Sequence, residues 1–413
     1  MSRRVVVTGM AGLCPLGHDW TTVRAKLRGG VSGVSSRPEW SAYDGLQTRL
    51  AAAVDGFEAP AHWPRKKTRS MGRVSLLAAR ATELALQDAG LLDAPVLASG
   101  RTGIAYGSTS GSPPAMEIYA RQFLGHSFKG IAATDYVQFM SHTCVSNLAV
   151  FFGVRGRLIP TCSACTSGSQ GIGFAYETIR DGRQDVMLAG GAEELHPIDA
   201  AVFDIMYAAS TRNDAPTTTP RPFDRDRDGL VVGEGAATLV LEDLEHARGR
   251  GAAIRAEIVG FGTNCDGRHI TSPDEDGMQR VMHLALEDAR LDVDRVGYVN
   301  AHGTATRLGD AAESRATHRV FGERVPVSSL KGFMGHTLGA CGALEAWITL
   351  AMMREGWLAP TLNLEHIDPE CAPLDYVMAG PRTAEVEVAV SNNFAFGGVN
   401  TSLIFRRWRE EPR

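Results

Sequence analysis

The residues able to do chemistry fall in four short, glycine-rich tracts. The first is Pro160-Thr-Cys-Ser-Ala-Cys-Thr-Ser-Gly168. The apolar run from Val154 to Ile159 reads as a strand and Gln170 to Arg180 as a helix, which puts Cys165 on the tight turn between them. A thiol at a helix N-terminus faces unpaired N–H groups and the positive end of the macrodipole. That setting favours thiolate, and the same N–H groups can hold the oxyanion of a thioester under attack. The composition suits equally a small buried cysteine in a turn.

The other three tracts lie in the second half. Asn300-Ala-His-Gly-Thr-Ala-Thr306 presents His302 just past a strand end, with the hydroxyls of Thr304 and Thr306 beside it. Ser328-Ser-Leu-Lys-Gly-Phe-Met-Gly-His336 puts Lys331 and His336 on a loop before a helix that contains Glu345. A Lys–Glu pair beside a histidine fixes its tautomer and position. Ser391-Asn-Asn-Phe-Ala-Phe-Gly-Gly-Val-Asn400 is a glycine turn after a strand, able to offer backbone N–H groups while Phe394 and Phe396 cover a pocket. Each has a plainer reading: a structural histidine, a surface ion pair, core phenylalanines. Their joint occurrence with Cys165 favours a reaction centre.

The elements that must position these tracts repeat. In the first half, strands are expected at Val5–Thr8, Arg101–Gly107, Val186–Gly191 and Gly235–Glu242, with a glycine turn at Gly9–Gly12 and an amphipathic helix over Val74–Ala89. In the second half, Ile254–Phe261, Val296–Gly303 and Gly398–Phe405 echo them, and Gly335-His-Thr-Leu-Gly-Ala-Cys-Gly342 with its helix takes the place of the Cys165 turn. Such alternation implies two fused copies of one α/β unit, residues 1–250 and 251–413, with a site at their junction. At 413 residues and 44% hydrophobic the chain can bury a large core, and a net charge of −5 gives no case for nucleic acid. Seven scattered cysteines without paired metal spacing suggest a reduced, cytoplasmic protein. Arg65, Lys66, Lys67 and Arg69, with Arg73, form a small basic stretch suited to an acidic protein.

Over nearly its full length the sequence resembles the decarboxylating β-ketoacyl-acyl-carrier-protein synthases of the KAS I/II type, within the thiolase-like superfamily. The tracts that carry the resemblance are Arg4-Val-Val-Val-Thr-Gly9, Ala164-Cys-Thr-Ser-Gly168, Gly190-Gly-Ala-Glu193, Asn300-Ala-His-Gly-Thr304, Gly335-His-Thr-Leu-Gly-Ala340 and Phe396-Gly-Gly-Val-Asn400. The resemblance implies a duplicated five-layer α-β-α-β-α fold with mixed sheets. It implies Cys165 as acyl acceptor, His302 and His336 as the catalytic pair, and Lys331 as their support, with Glu345 and Asp310 behind them. It further implies an oxyanion hole from the N–H groups of Cys165 and Phe396, a gate at Phe394 and Phe396, and contacts to the pantetheine arm from Thr304, Thr306 and Thr271. Arg65, Lys66, Lys67 and Arg69 fall where relatives receive the acidic acyl carrier protein. No metal or further cofactor is expected, because the substrates ride on the carrier's phosphopantetheine. The family pattern is a homodimer, and a heterodimer with a chain-length-factor-like subunit is the alternative.

Some tracts look more like synthases of aryl polyene clusters than like the housekeeping fatty-acid enzyme, so either chain type is a candidate product. Two other classes stay open at this point. One is a non-catalytic half of a heterodimer, and the other is a cysteine hydrolase using Cys165 and His302. The remaining cysteines, Cys162 and Cys265 among them, read as packing residues.

Overall fold

The computed structural model describes residues 2–410. Its backbone is one eleven-stranded mixed sheet that bends around two buried helices. Along one half the strands run in the order Leu158–Thr161, Thr102–Gly107, Val186–Glu193, Gly235–Asp243, Val5–Leu13. Along the other they run Pro326–Ser328, Tyr298–Asn300, Val388–Phe394, Val399–Arg407, Ala256–Cys265, with Asp375–Tyr376 added at the outer edge. Each half has the same order and the same directions: two parallel pairings at the outside, then two antiparallel pairings toward the centre. The halves meet where Val5–Val7 pairs antiparallel with Ala256–Ile258. That short contact makes one continuous sheet of the two that the duplication implies.

Between the half-sheets lie the helices Ser167–Arg180 and Cys341–Glu355. Thirteen of the fifteen residues of Cys341–Glu355 are buried, because sheet covers it from both sides. Outside the sandwich, Arg73–Ala89 and Thr143–Phe152 cover the first half, and Glu275–Ala289 with Arg307–Phe321 cover the second, giving five layers. Two glycines show how closely the duplication is kept. A Cβ on Gly9 would sit 2.3 Å from the Ala85 carbonyl oxygen, and one on Gly260 would sit 2.5 Å from that of Ala285, so each outer helix rests on bare strand backbone at the matching place.

That observation corrects one expectation. The segment Gly9–Gly12 is no turn: the strand runs through it from Val5 to Leu13. Its glycines answer to packing, since a Cβ on Gly12 would strike the Trp347 ring at 2.5 Å. The strand before Cys165 also starts later than its apolar run, at Leu158, and ends at Thr161. Its helix starts earlier, at Ser167. The basic stretch opens with a single helical turn, Arg65–Thr68, which Arg69 caps.

Candidate active site

Cys165 occupies a sharp turn whose strain falls on its neighbour. Ala164 has φ +50°, a left-handed conformation that a side chain disfavours, and Leu338 at the matching turn of the second half has φ +46°. Hydroxyls hold the first turn in place. Ser167 Oγ donates to the Ala164 carbonyl at 2.7 Å, Thr166 Oγ1 donates to the Ser163 carbonyl at 2.8 Å, and Thr161 Oγ1 donates to the Ser167 carbonyl at 2.8 Å. This accounts for the run of Ser and Thr around the thiol. The two turns touch: a Cβ on Gly168 would lie 2.9 Å from the Gly339 carbonyl oxygen, and one on Gly191 would lie 2.4 Å from it.

Burial changes the expectation about the thiol. Cys165 is 7% exposed, and desolvation pushes its pKa up to about 12, against the lowering effect of Lys331 and its own N–H. The resting group is therefore the thiol, not the thiolate that a helix N-terminus alone favours.

His336 Nε2 stands 3.0 Å from Cys165 Sγ. The loop bearing it is fixed by two backbone bonds, from His336 N–H to the Val231 carbonyl and from Gly233 N–H to the His336 carbonyl. His302 meets His336 edge to face, with ring centroids 5.2 Å apart. Lys331 Nζ donates to the His302 carbonyl at 2.6 Å and to Glu345 Oε1 at 2.5 Å, and lies 3.2 Å from His302 Nδ1. An ammonium can only donate, so Nδ1 is the acceptor and His302 carries its proton on Nε2. Asn393 Nδ2 reinforces this, lying 3.3 Å from the same Nδ1 and 2.7 Å from Glu345 Oε2. Burial, and then the Lys331 charge, hold both imidazoles well below the usual histidine pKa, so both are neutral at pH 7.

Cys165, His302 and His336 thus converge from three different loops, and Lys331 and Glu345 stand behind them. Asp310 is placed differently from the others. Its carboxylate accepts Ala305 N–H and Phe223 N–H, so it shapes the loop carrying Thr304 and Thr306 without touching either imidazole. Sequence reasoning missed Glu313, whose two oxygens accept the N–H groups of His302 and Gly303, each at 2.7 Å. The available signal was an acidic residue on the alanine-lined inner face of the helix that follows His302. Glu193, quoted above without a role, accepts Thr109 N–H and Gly339 N–H, and burial pushes its pKa up to about 8.

A cavity of about 350 Å³ leads from Cys165, His302 and His336 past Phe394 and Phe396 to Thr271, Thr304 and Thr306. Thr304 and Thr306 share a hydroxyl hydrogen bond of 2.9 Å. Phe394 is buried 6.0 Å from the His302 ring, whereas Phe396 is half-buried and packs on Phe203 at 5.6 Å. The Phe396 N–H is not among the backbone donors of its turn, although its neighbours Ala395, Gly397 and Gly398 all donate, and the Cys165 N–H faces its own sulfur. The ligand atoms of Cys165, His302 and His336 lie within 4.8 Å of one another, as do those of His302, Cys341 and Glu345. Those are the side chains that would hold a metal ion, but the second set already surrounds the Lys331 ammonium.

Outside the cavity, Arg65, Lys66, Lys67 and Arg69 are exposed on their helical turn. Lys67 is tethered, donating to the Phe151 carbonyl at 2.6 Å. Arg73 is not part of that patch, because it is paired with Glu234 and the Val54 carbonyl. Cys162 and Cys265 are exposed, so the packing role expected for them fails.

A fold of two repeated halves with a thiol and two neutral imidazoles at their junction defines a thiolase-like condensing enzyme. The chain belongs to the β-ketoacyl synthase family: residues 2–247 match "Beta-ketoacyl synthase, N-terminal domain" and residues 255–365 match "Beta-ketoacyl synthase, C-terminal domain". It is 39% identical to the 3-oxoacyl-[acyl-carrier-protein] synthase 2 of Vibrio cholerae serotype O1, covering 98% of this chain and 99% of that one. It superposes on the crystal structure of a β-ketoacyl synthase from Burkholderia phymatum with a TM-score of 0.97 and 58% identity, over 98% of this chain and 100% of that one. A type II polyketide acyl carrier protein in complex with its ketosynthase matches at a TM-score of 0.89 and 30% identity, over 99% of this chain and 100% of that chain.

Proposed function

We propose that the protein is a 3-oxoacyl-acyl-carrier-protein synthase, an acyltransferase that lengthens a fatty-acid or polyketide chain by decarboxylative condensation of a malonyl thioester. The observation that carries this reading is the 3.0 Å approach of His336 Nε2 to Cys165 Sγ with His302 edge-on beside it. The first half supplies the nucleophile and the second half the two histidines, so the work divides between residues 1–250 and 251–413.

Cys165 sulfur attacks the carbonyl carbon of an acyl thioester, and the departing carrier sulfur ends with the thiol proton. The oxyanion of that step sits against the N–H groups of Cys165, beside its own sulfur, and of Phe396 on the glycine turn. A malonyl thioester then enters the vacated channel, its arm passing Thr271, Thr304 and Thr306. Loss of carbon dioxide leaves an enolate whose oxygen lies against the Nε2–H groups of His302 and His336. Neutral donors suit this step, since burial both keeps the imidazoles uncharged and strengthens their hydrogen bonds. The enolate carbon attacks acyl-Cys165, expels the sulfur and leaves a β-ketoacyl carrier. Lys331 and Glu345 hold His302 in its tautomer, Asp310 shapes the arm-binding loop, and Phe396, with Phe394 behind it, gates the acyl pocket.

The partner is an acyl carrier protein, drawn by Arg65, Lys66, Lys67 and Arg69, and no cofactor beyond its phosphopantetheine is invoked. A homodimer is the favoured assembly, with a chain-length-factor-like subunit as the alternative companion. Its support is the strand Leu158–Thr161, which ends the sheet with one edge unpaired, and Val150 nearby at 69% exposure. Among the described residues no helix is long and apolar enough to cross a membrane, and we place the protein in the cytoplasm. Incubation with octanoyl-carrier followed by peptide mass spectrometry tests the first half-reaction. The acyl group should be found on Cys165, and its appearance on another residue, or on none, would reject the assignment.

A further inference from the structure

A centre that brings a thiol and two imidazoles to one point has also assembled the ligands of a zinc site. The ligand atoms of Cys165, His302 and His336 lie within 4.8 Å of one another, and His336 Nε2 is 3.0 Å from Cys165 Sγ. Tetrahedral Zn²⁺ with one sulfur and two nitrogen ligands holds those atoms about 3.3–3.6 Å apart, so small side-chain shifts would close the set. The three side chains line the cavity, which leaves a fourth position open to water. All three are buried and already in place, as capture of a metal requires.

Ligation needs an electron pair from each atom. Cys165 supplies one by releasing its thiol proton to solvent as the sulfur–metal bond forms. His336 is uncommitted, since among the described residues its Nδ1 has no hydrogen-bond partner and either ring nitrogen can carry the proton. His302 is the exception. Lys331 Nζ, 3.2 Å from His302 Nδ1, holds the proton on Nε2, so no lone pair faces the other two ligands. Freeing Nε2 means moving that proton to Nδ1, against the ammonium. Asn393, 3.3 Å from the same Nδ1, does not impose this choice, because its amide has an unpartnered Oδ1 as well as its Nδ2 and can serve either tautomer.

A histidine that binds zinc carries its proton on the far nitrogen and donates it to a carboxylate or carbonyl. Here the carboxylate is present. Glu345 Oε1 accepts Lys331 Nζ at 2.5 Å, so the ammonium is inserted between His302 and Glu345, where it interrupts a carboxylate–histidine–metal chain. Its charge also reaches the thiol and both imidazoles, which adds repulsion toward a cation at the centre.

We infer that Lys331 guards the centre against thiophilic divalent metals by holding His302 in the tautomer that cannot ligate. The ammonium that presents Nε2–H to the cavity thereby also keeps the Cys165 thiol from being sequestered. This role goes beyond the synthase reading and is measured without turnover, so that reading can fail or stand separately.

The test is anaerobic titration of metal-free protein with Co²⁺, whose bond to a thiolate absorbs in the near ultraviolet. Wild type is compared with Lys331→Ala and with Lys331→Ala/Glu345→Gln, which lacks the unpaired buried charge and serves if the single variant does not fold. The guard predicts that Lys331→Ala binds Co²⁺ about 100-fold more tightly than wild type, and the double variant about ten-fold more tightly, since it lacks the carboxylate. Adding Cys165→Ala should remove the thiolate band from either. Wild type that binds Co²⁺ as tightly as the variants would overturn the guard, and so would folded variants with no gain in affinity. A band that persists without Cys165 would place the metal on another thiol, such as the exposed Cys162 or Cys265, and would overturn it too.

Discussion

Replacing Lys331 separates its two duties. The ammonium is fully buried and holds both Glu345 and His302. Lys331→Ala leaves the Glu345 carboxylate in the core with only the neutral amides of Asn393 and Asn300 as donors from the cluster, and a buried charge without its counter-ion costs roughly 3–5 kcal/mol. Burial already raises the Glu345 pKa, and loss of the ammonium removes the main lowering influence. The folded variant therefore binds a proton at Glu345 more tightly than the wild type does, while the unfolded chain releases it near its ordinary pKa of about 4.3. The folded pKa is the higher one, so the stability contributed by the protonated form is intact below about 4.3 and is lost as pH rises through the folded value. Urea midpoints of Lys331→Ala should fall with rising pH over this window relative to wild type. Adding Glu345→Gln removes the orphaned charge and should recover most of the stability, giving a coupling of at least about 2 kcal/mol in the double-mutant cycle. Catalysis should not recover with it. Without the ammonium on Nδ1, His302 loses its fixed Nε2–H, and malonyl decarboxylation should fall about 100-fold in the single and double variants alike. A stable double variant that decarboxylates malonyl-carrier within about three-fold of wild type would refute the tautomer argument, since the donor loss alone is set at about 100-fold.

Cys165→Ala should abolish condensation and retain decarboxylation of malonyl-carrier, read as carbon dioxide release, because both histidines remain. With the thiol pKa near 12, alkylation of Cys165 by iodoacetamide should climb about ten-fold per pH unit from neutrality without a plateau. Peptide mapping is needed to follow it, since the exposed Cys162 and Cys265 are open to the reagent as well. The depressed histidine pKa values keep both imidazoles neutral below 6.5, so decarboxylation by Cys165→Ala should stay level as pH falls through that value; a drop centred there would contradict the assignment. Gly191→Ala forces a methyl to 2.8 Å from Gly168 Cα and still closer to the Gly339 carbonyl, and should lower stability by about 1–3 kcal/mol in chemical denaturation.

Much of this site was legible because its parts sit in glycine-bounded tracts whose neighbours are apolar. Cys165, His302 and His336 each stand at a strand end or turn where a chain has no packing reason to place them, and Lys331 opens the short buried helix Lys331–Met334. The elements were legible where apolar runs are uninterrupted, as in Val186–Glu193 and Gly235–Asp243. They were misread where a glycine serves packing: Gly9 and Gly12 look like a turn and are in fact the places where a helix and Trp347 press on a strand. Glu313 was harder to see because its partners are backbone N–H groups, so that its place on the alanine-lined inner face of the helix is the one mark it leaves in the sequence. The resting state of Cys165 was misjudged for another reason. A local helix end was visible in the sequence, whereas the desolvation that outweighs it comes from long-range packing.

The most direct measurement is mass spectrometry of the carrier after purified protein is mixed with octanoyl- and malonyl-loaded carrier. The account predicts a β-ketodecanoyl group on the carrier that had borne malonyl, with carbon dioxide released in equal amount and no product from Cys165→Ala. Free octanoic acid in place of the lengthened chain, or lengthening that persists in Cys165→Ala, would contradict it.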